Sequence, residues 1–175
     1  LAQTMEQINA ESLEFRKALI VFLDGLISHY VLDDGKLAVA HAGLKEEMIG
    51  RSSAVVRDFA LYGDTTGEKG EDGLPIRRDW ALEYRGRTTI VYGHTPQAEA
   101  FWLNGTMNID TGCVFGGKLT ALRYPERELV AVPSNAQYAV PARPFLSSDD
   151  GASSSLNTQQ HQDDMLDIGD VLALE

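Results

Sequence analysis

The chain has 175 residues, 43% hydrophobic and 23% charged, a composition that suits a globular domain and no low-complexity class. No apolar run approaches the ~18 residues of a membrane-spanning helix, and a single cysteine, Cys113, excludes an internal disulfide and a CxxC zinc pattern, making a reducing cytoplasm the expected compartment. The net charge is −11, yet residues 148–175 hold seven acids and no Lys or Arg, so the body is close to balanced and any grip on a phosphorylated substrate must be local, from clustered arginines or bound cations.

The first ten residues lack the basic and apolar regions of an export signal and do not begin with Met, so the chain reads as a segment of something longer. From Glu11 to Ser28, Phe15, Leu19, Phe22, Leu23 and Leu26 recur at helical spacing and predict an amphipathic helix facing a core. His29 to Leu32 and Lys36 to Ala40 read as strands around the turn Asp33-Asp34-Gly35, and the second runs into His41-Ala42-Gly43. Ser52 is placed to cap a helix reaching Tyr62, with Val55, Val56, Phe59 and Tyr62 on one side. Four glycines and five charges between Gly63 and Leu74 predict a loop, followed by a short helix over Trp80 to Tyr84.

Arg87 to Tyr92 is β-branched and ends at Gly93-His94-Thr95-Pro96. Asn104-Gly105 between Ala98–Leu103 and Thr106–Asp110 is a strong hairpin signal. Lys118 to Tyr124 and Leu129 to Val132 add two strands, so residues 87–132 are expected to be mostly a β meander within an α/β fold. Beyond them, Pro133, Pro141, Pro144 and a polar run from Ser147 to Gln162 predict a linker over 134–163, and 164–175 turns apolar again with spaced acids, like the start of a connector to a further domain.

Three polar side chains thus fall at strand ends, where α/β sheets gather their ligands. His41 and His94, flanked by small residues, are either two imidazoles sharing one ion such as Zn, Mn, Fe or Ni, or hydrogen-bonded strand-end residues without a ligand. Asp110 in Asp-Thr-Gly is either a ligating or orienting carboxylate or an Asx-turn acceptor. Cys113 reads as a buried small hydrophobe, and Trp80 and Trp102 as core rather than base-stacking residues. Of Arg51, Arg57, Arg77, Arg78, Arg85 and Arg87, interleaved acids suggest that one or two touch substrate while the rest make surface pairs.

The motifs LAVAHAGL (37–44), VYGHTP (91–96) and NIDTGCVFGGKLTALRY (108–124) resemble the C-terminal half of the calcineurin-like binuclear metallophosphoesterases. FLDGLISHYVL (22–32), AGLKEEM (42–48), FALYGDTTG (59–67), YPERELVAV (124–132) and LDIGDVL (166–172) are similar to the bacterial polynucleotide kinase-phosphatase family, its central phosphatase domain and the connector that follows. The resemblance implies an α/β/β/α layered sandwich, with 1–133 a partial phosphoesterase domain. It implies His41 and His94 as ligands of one of two divalent metal ions, with Mn foremost and Ni, Fe or Zn as alternatives. Asp110 becomes an active-site acid, and the partners become nucleic-acid ends carrying terminal phosphate, without a membrane, together with flanking kinase and ligase-like domains.

Of the family's earlier motifs, Asp-x-His and Gly-Asn-His are not in the chain, and its Gly-Asp pairs at 63–64 and 169–170 follow His41 instead of preceding it; the motifs are expected before Leu1, so the chain by itself is expected to bind metal weakly and to be nearly inactive. Neither GxxxxGK[ST] nor Lys-x-Asp-Gly occurs, which leaves only the phosphatase part. The expected function is removal of terminal phosphate from nucleic acid during RNA repair. The alternatives are a diadenosine-polyphosphate hydrolase or protein-phosphatase-like member of the superfamily, and a non-catalytic remnant or interaction module.

Overall fold

A computed structural model describes residues 2–143 and Phe145. The acidic stretch, the larger part of the 134–163 linker, the 164–175 connector and His161 lie outside the described residues. The chain divides into two compact units, the first containing described residues 2–27 and the second 28–143 with Phe145.

In the first unit, helix α1 spans Ala2–Ala10 and helix α2 spans Leu13–Asp24. The Ser12 hydroxyl accepts the Phe15 N–H at 3.1 Å, and Gly25 closes the last turn of α2. The periodicity predicted α2 but not α1. Nor does the predicted core contact hold among the described residues, because Phe15 and Phe22 of α2 remain exposed.

The second unit is built on a five-stranded sheet in the order β1-β2-β5-β7-β6. Its members are β1 (His29–Leu32), β2 (Leu37–Ala40), β5 (Thr89–Tyr92), β6 (Trp102–Leu103) and β7 (Thr106–Asn108). β1 and β2 form the expected antiparallel hairpin, with Asp33 and Asp34 both at positive φ in the turn. β5 pairs with β2 and with β7 in parallel, while β6 returns antiparallel on β7 across Asn104-Gly105. The α/β architecture is therefore as expected. The meander is not, since a non-local parallel pairing brings β7 beside β5 and leaves β6 at the edge.

Helices α3 (Ala54–Tyr62) and α4 (Trp80–Glu83) pack on this sheet. Ser53, not Ser52, caps α3, accepting the Val56 N–H, and this sets the buried face to Val56, Phe59 and Ala60 while Val55 is exposed. These three sit at i, i+3 and i+4, one stripe of a helix. They join Ala38, Leu44, Trp80 and Ile90 in the core. The Trp80 indole N–H donates to the Ala42 carbonyl at 3.2 Å, and its ring lies where a side chain on Gly43 would be, a residue that also has φ +119°.

The predicted loop at 63–74 contains structure. β3 (Thr65–Lys69) pairs with β4 (Pro75–Arg77) as a hairpin closed by Gly70 and Gly73, and Asp72 accepts the Leu74 N–H at 3.0 Å. Glycine and charge mark the turn, but the two flanking strands are mostly polar and so carry no apolar alternation. A second hairpin, β8 (Lys118–Arg123) with β9 (Glu128–Pro133), forms a sheet of its own. Residues after β9 continue along the 112–117 loop: Ser134 N–H donates to Gly117, and Tyr138 and Ala139 N–H both donate to Val114.

Candidate metal-binding site

Because β2, β5 and β7 run parallel, their C-terminal ends share one edge of the sheet. The ladder extends one residue further on each side, with Gly93 N–H donating to the His41 carbonyl at 2.8 Å and Ile109 N–H to the Tyr92 carbonyl at 2.9 Å. Those bonds fix the backbone where His41, His94 and Asp110 leave the strands. His94 adopts φ +73°, a left-handed conformation rare outside glycine, and this turns its ring towards His41.

The two rings meet edge to face with centroids 4.6 Å apart, and His41 Nε2 lies 2.8 Å from His94 Nδ1. The other nitrogen of His94, Nε2, is 2.9 Å from Arg77 Nη2. A guanidinium can only donate, so His94 Nε2 is the acceptor, its proton sits on Nδ1, and that N–H points at His41 Nε2. Burial first, then the charges of Arg77 and His41, lower the His94 pKa to about 4. The ring is neutral at pH 7, the form that ligates metals.

Asp110 stands beside them. Its Oδ1 accepts the Gly112 N–H at 3.1 Å, its own N–H donates to Asn108 Oδ1 at 2.9 Å, and its Cβ packs against Gly93. The Asx turn is thus present, and it holds the carboxylate one residue from His94. A cleft of about 360 Å³ is lined by His41, His94, Asp110, Cys113, Lys118 and Thr120, among others. Cys113 is half-buried in its wall rather than fully enclosed as predicted.

Two imidazole nitrogens bound to one ion at ~2.0–2.1 Å must stand about 3 Å apart. The observed 2.8 Å between His41 Nε2 and His94 Nδ1 matches this spacing, but in the metal-free chain it is an N–H···N hydrogen bond, so ligation through Nδ1 requires the His94 proton to sit on Nε2 instead, where it can no longer accept from Arg77. Among the described residues, no third His, Cys, Asp or Glu joins them in a ligand cluster.

Of the six arginines, Arg77 is joined to His94 and tethered by its Nε to the Tyr62 carbonyl at 3.1 Å. Arg78 faces Asp64, and Arg85 donates to the Leu82 and Tyr84 carbonyls. No sequence signal selects Arg77, because its position depends on a hairpin whose strands are mostly polar. Trp80 is core, as expected, while Trp102 lies under the Arg127 guanidinium at 3.8 Å. His29 is satisfied locally, accepting the Gly50 N–H at 3.0 Å.

A parallel sheet with paired imidazoles and a carboxylate at its strand ends is the kind of frame used by metal-assisted phosphoesterases, and the chain's relatives are named as phosphatases. The chain is 64% identical over 116 residues to the asymmetrical bis(5'-nucleosyl)-tetraphosphatase PrpE of Anoxybacillus flavithermus, covering 66% of this chain and 47% of that protein. It is 59% identical over 110 residues to the protein of the same name from Bacillus cereus, covering 63% and 45%. The crystal structure of a candidate diadenosine tetraphosphatase matches with a TM-score of 0.51 at 26% identity, over 66% of this chain and 55% of the other. No family model matches. The chain spans about half the length of the curated relatives it matches. These relatives support the superfamily but not the finer resemblance to polynucleotide kinase-phosphatases, and they name neither manganese nor RNA repair.

Proposed function

We propose that this chain contributes to the active site of an asymmetrical dinucleoside tetraphosphate hydrolase, which adds water across an off-centre phosphoanhydride and releases a nucleoside triphosphate and a nucleoside monophosphate. The observation that carries this reading is the 64% identity over 116 residues to a protein of that activity, a span long enough to include His41, His94 and Asp110 together. The alternative given in the sequence reading thereby displaces its nucleic-acid reading.

His41 Nε2 and His94 Nδ1 would hold a divalent cation in the tautomer that carries the His94 proton on Nε2, which releases Arg77 from the ring. The cation would supply the positive charge against phosphoryl oxygens that a chain of net charge −11 lacks. Arg77, bonded to the His94 ring in the metal-free chain and free of it once Nε2 carries the proton, would be placed to grip a phosphoryl oxygen with a charged hydrogen bond. Asp110, fixed by Gly112 and Asn108, can accept a proton or orient a donor at the same strand edge.

The test is hydrolysis of diadenosine tetraphosphate by the encoded protein carrying this chain, with Mn²⁺, Ni²⁺, Zn²⁺ or Mg²⁺ and the products resolved by anion exchange. Equimolar adenosine tri- and monophosphate is expected. Two diphosphates, or an untouched substrate beside dephosphorylation of a 3′-phosphorylated oligonucleotide, overturns the reading. His41→Ala and His94→Ala are each expected to weaken cation binding by more than the roughly 10–100-fold that losing a ligand's outer hydrogen-bond partner costs, as measured by calorimetric titration.

A further inference from the structure

We propose that Lys118 is a phosphoryl-binding residue of the cleft, and that the Glu99 carboxylate holds its ammonium group until a substrate phosphate takes the carboxylate's place. The inference deepens the reading of the cleft as a phosphoesterase site and rests on it.

Lys118 opens β8 and is the only Lys or Arg among the residues that line the cleft, whose only acid is Asp110. A phosphoryl group entering beside a carboxylate needs a cation on the same wall. The root of Lys118 is fixed next to that carboxylate. Its N–H donates to the Thr111 carbonyl at 3.0 Å, and its own carbonyl accepts the Thr111 hydroxyl at 2.7 Å. The same hydroxyl lies 2.6 Å from that of Thr120, two residues further along β8. Because Thr111 directly follows Asp110, the strand that bears the lysine and the turn that bears the carboxylate are bonded to each other.

The far end of the side chain is held less firmly. Lys118 Nζ donates to Glu99 Oε1 at 2.6 Å. Glu99 stands in the connection from His94 to β6, two residues after Gln97, whose N–H donates to the Asp110 carbonyl at 3.0 Å. The pair thus reaches from β8 to the connection that leaves His94, with both of its backbones bonded at Asp110 or its neighbour. The two side chains are 40% and 71% exposed, and an ion pair so open to water is weakly held and screened by salt. Glu99 has no second side-chain partner among the described residues, so the ammonium alone holds it there. An ammonium has three donors in no fixed plane, and Glu99 takes one of them. A phosphoryl oxygen offers the same charge-assisted bond, and Glu99 returns to water readily because it is already largely exposed.

The probe is inorganic pyrophosphate, titrated into the metal-free 175-residue chain and followed by phosphorus NMR. Lys118→Ala is expected to weaken binding about tenfold, as loss of a charge-assisted contact does, with Lys118→Arg restoring most of it. Glu99→Gln is expected to tighten binding about threefold, since the competing carboxylate is gone, and to lose that effect when combined with Lys118→Ala. An ion pair that only supports the fold would not give opposite signs. Arg123→Ala and Glu128→Gln, which remove a positive and a negative charge from another exposed pair, should each leave binding unchanged within about twofold. Thermal melting confirms that each variant folds, and Lys118→Gln stands in for Lys118→Ala if the latter does not. The proposal is overturned if Lys118→Ala binds pyrophosphate as well as wild type, if Glu99→Gln tightens binding no more than Glu128→Gln does, or if wild type binds none. In the encoded protein carrying this chain, Lys118→Ala should also raise the KM for diadenosine tetraphosphate. Hydrolysis with KM and kcat both unchanged sinks the role of Lys118 and keeps the hydrolase reading. Lys118-dependent pyrophosphate binding in a protein that leaves diadenosine tetraphosphate intact sinks the hydrolase reading and keeps the anion site.

Discussion

The strand edge formed by β2, β5 and β7 and the hairpin of β8 and β9 are made of the same kind of residue but differ in what covers them. Ile90 and Met107 are wholly enclosed, while Val130 and Val132 are 45% and 55% exposed on a strand with no buried residue. Both regions have complete backbone ladders. What separates them is side-chain packing: parallel strands are covered on their faces, and an antiparallel hairpin tolerates water. The metal-binding candidates, exposed His41 and half-buried His94, follow strands whose backbone is held by its ladder and whose inward side chains are packed, which fixes where the two rings leave the sheet.

The contrast can be broken most severely at Gly43. Gly43→Ala places a Cβ in the Trp80 ring at φ +119° and is expected to cost about 4 kcal/mol, combining backbone strain with overpacking; urea denaturation measures it. A midpoint close to wild type would mean that Trp80 is not fixed beneath the His41 turn. Next comes a matched pair of truncations. Ile90→Ala should cost about 3 kcal/mol as a core cavity, whereas Val130→Ala on β9 should stay within about 0.5 kcal/mol. Equal losses would show that the hairpin is packed as tightly as the central sheet.

The mildest test is acid. His94 titrates near 4 in the folded chain and near 6.5 when unfolded. Between those values the unfolded chain takes up a proton that the folded chain does not, so stability present above pH 6.5 is lost as pH falls towards 4. Burial depresses His29 in the same direction. The urea midpoint of the metal-free chain should fall between pH 7.5 and pH 5, and by less in His94→Asn. A rise on acidification would contradict the neutral, Arg77-facing ring.

Much of this edge was legible in the sequence because β-branched runs stop abruptly at His41, His94 and Asp110, and the Asn104-Gly105 turn fixes where β6 ends and β7 begins. The order of the strands was not legible. Parallel pairing of β5 with β7 joins segments that a sequence pattern shows only as consecutive, so a meander looked adequate. The polar hairpin 65–77 was hidden for another reason: its pairing is carried by backbone and by Asp72, with little apolar alternation to read. The selection of Arg77 from six arginines depends on that hairpin, and so lies beyond what the sequence pattern carries.

The left-handed backbone at His94 carries a consequence for anyone engineering this chain. A non-glycine residue at φ +73° gives up roughly 1–2 kcal/mol that glycine, and in part asparagine, would recover. A library screened for thermal tolerance alone will therefore drift away from histidine at position 94, and its most robust members will have discarded one of the two nitrogens proposed to hold the cation.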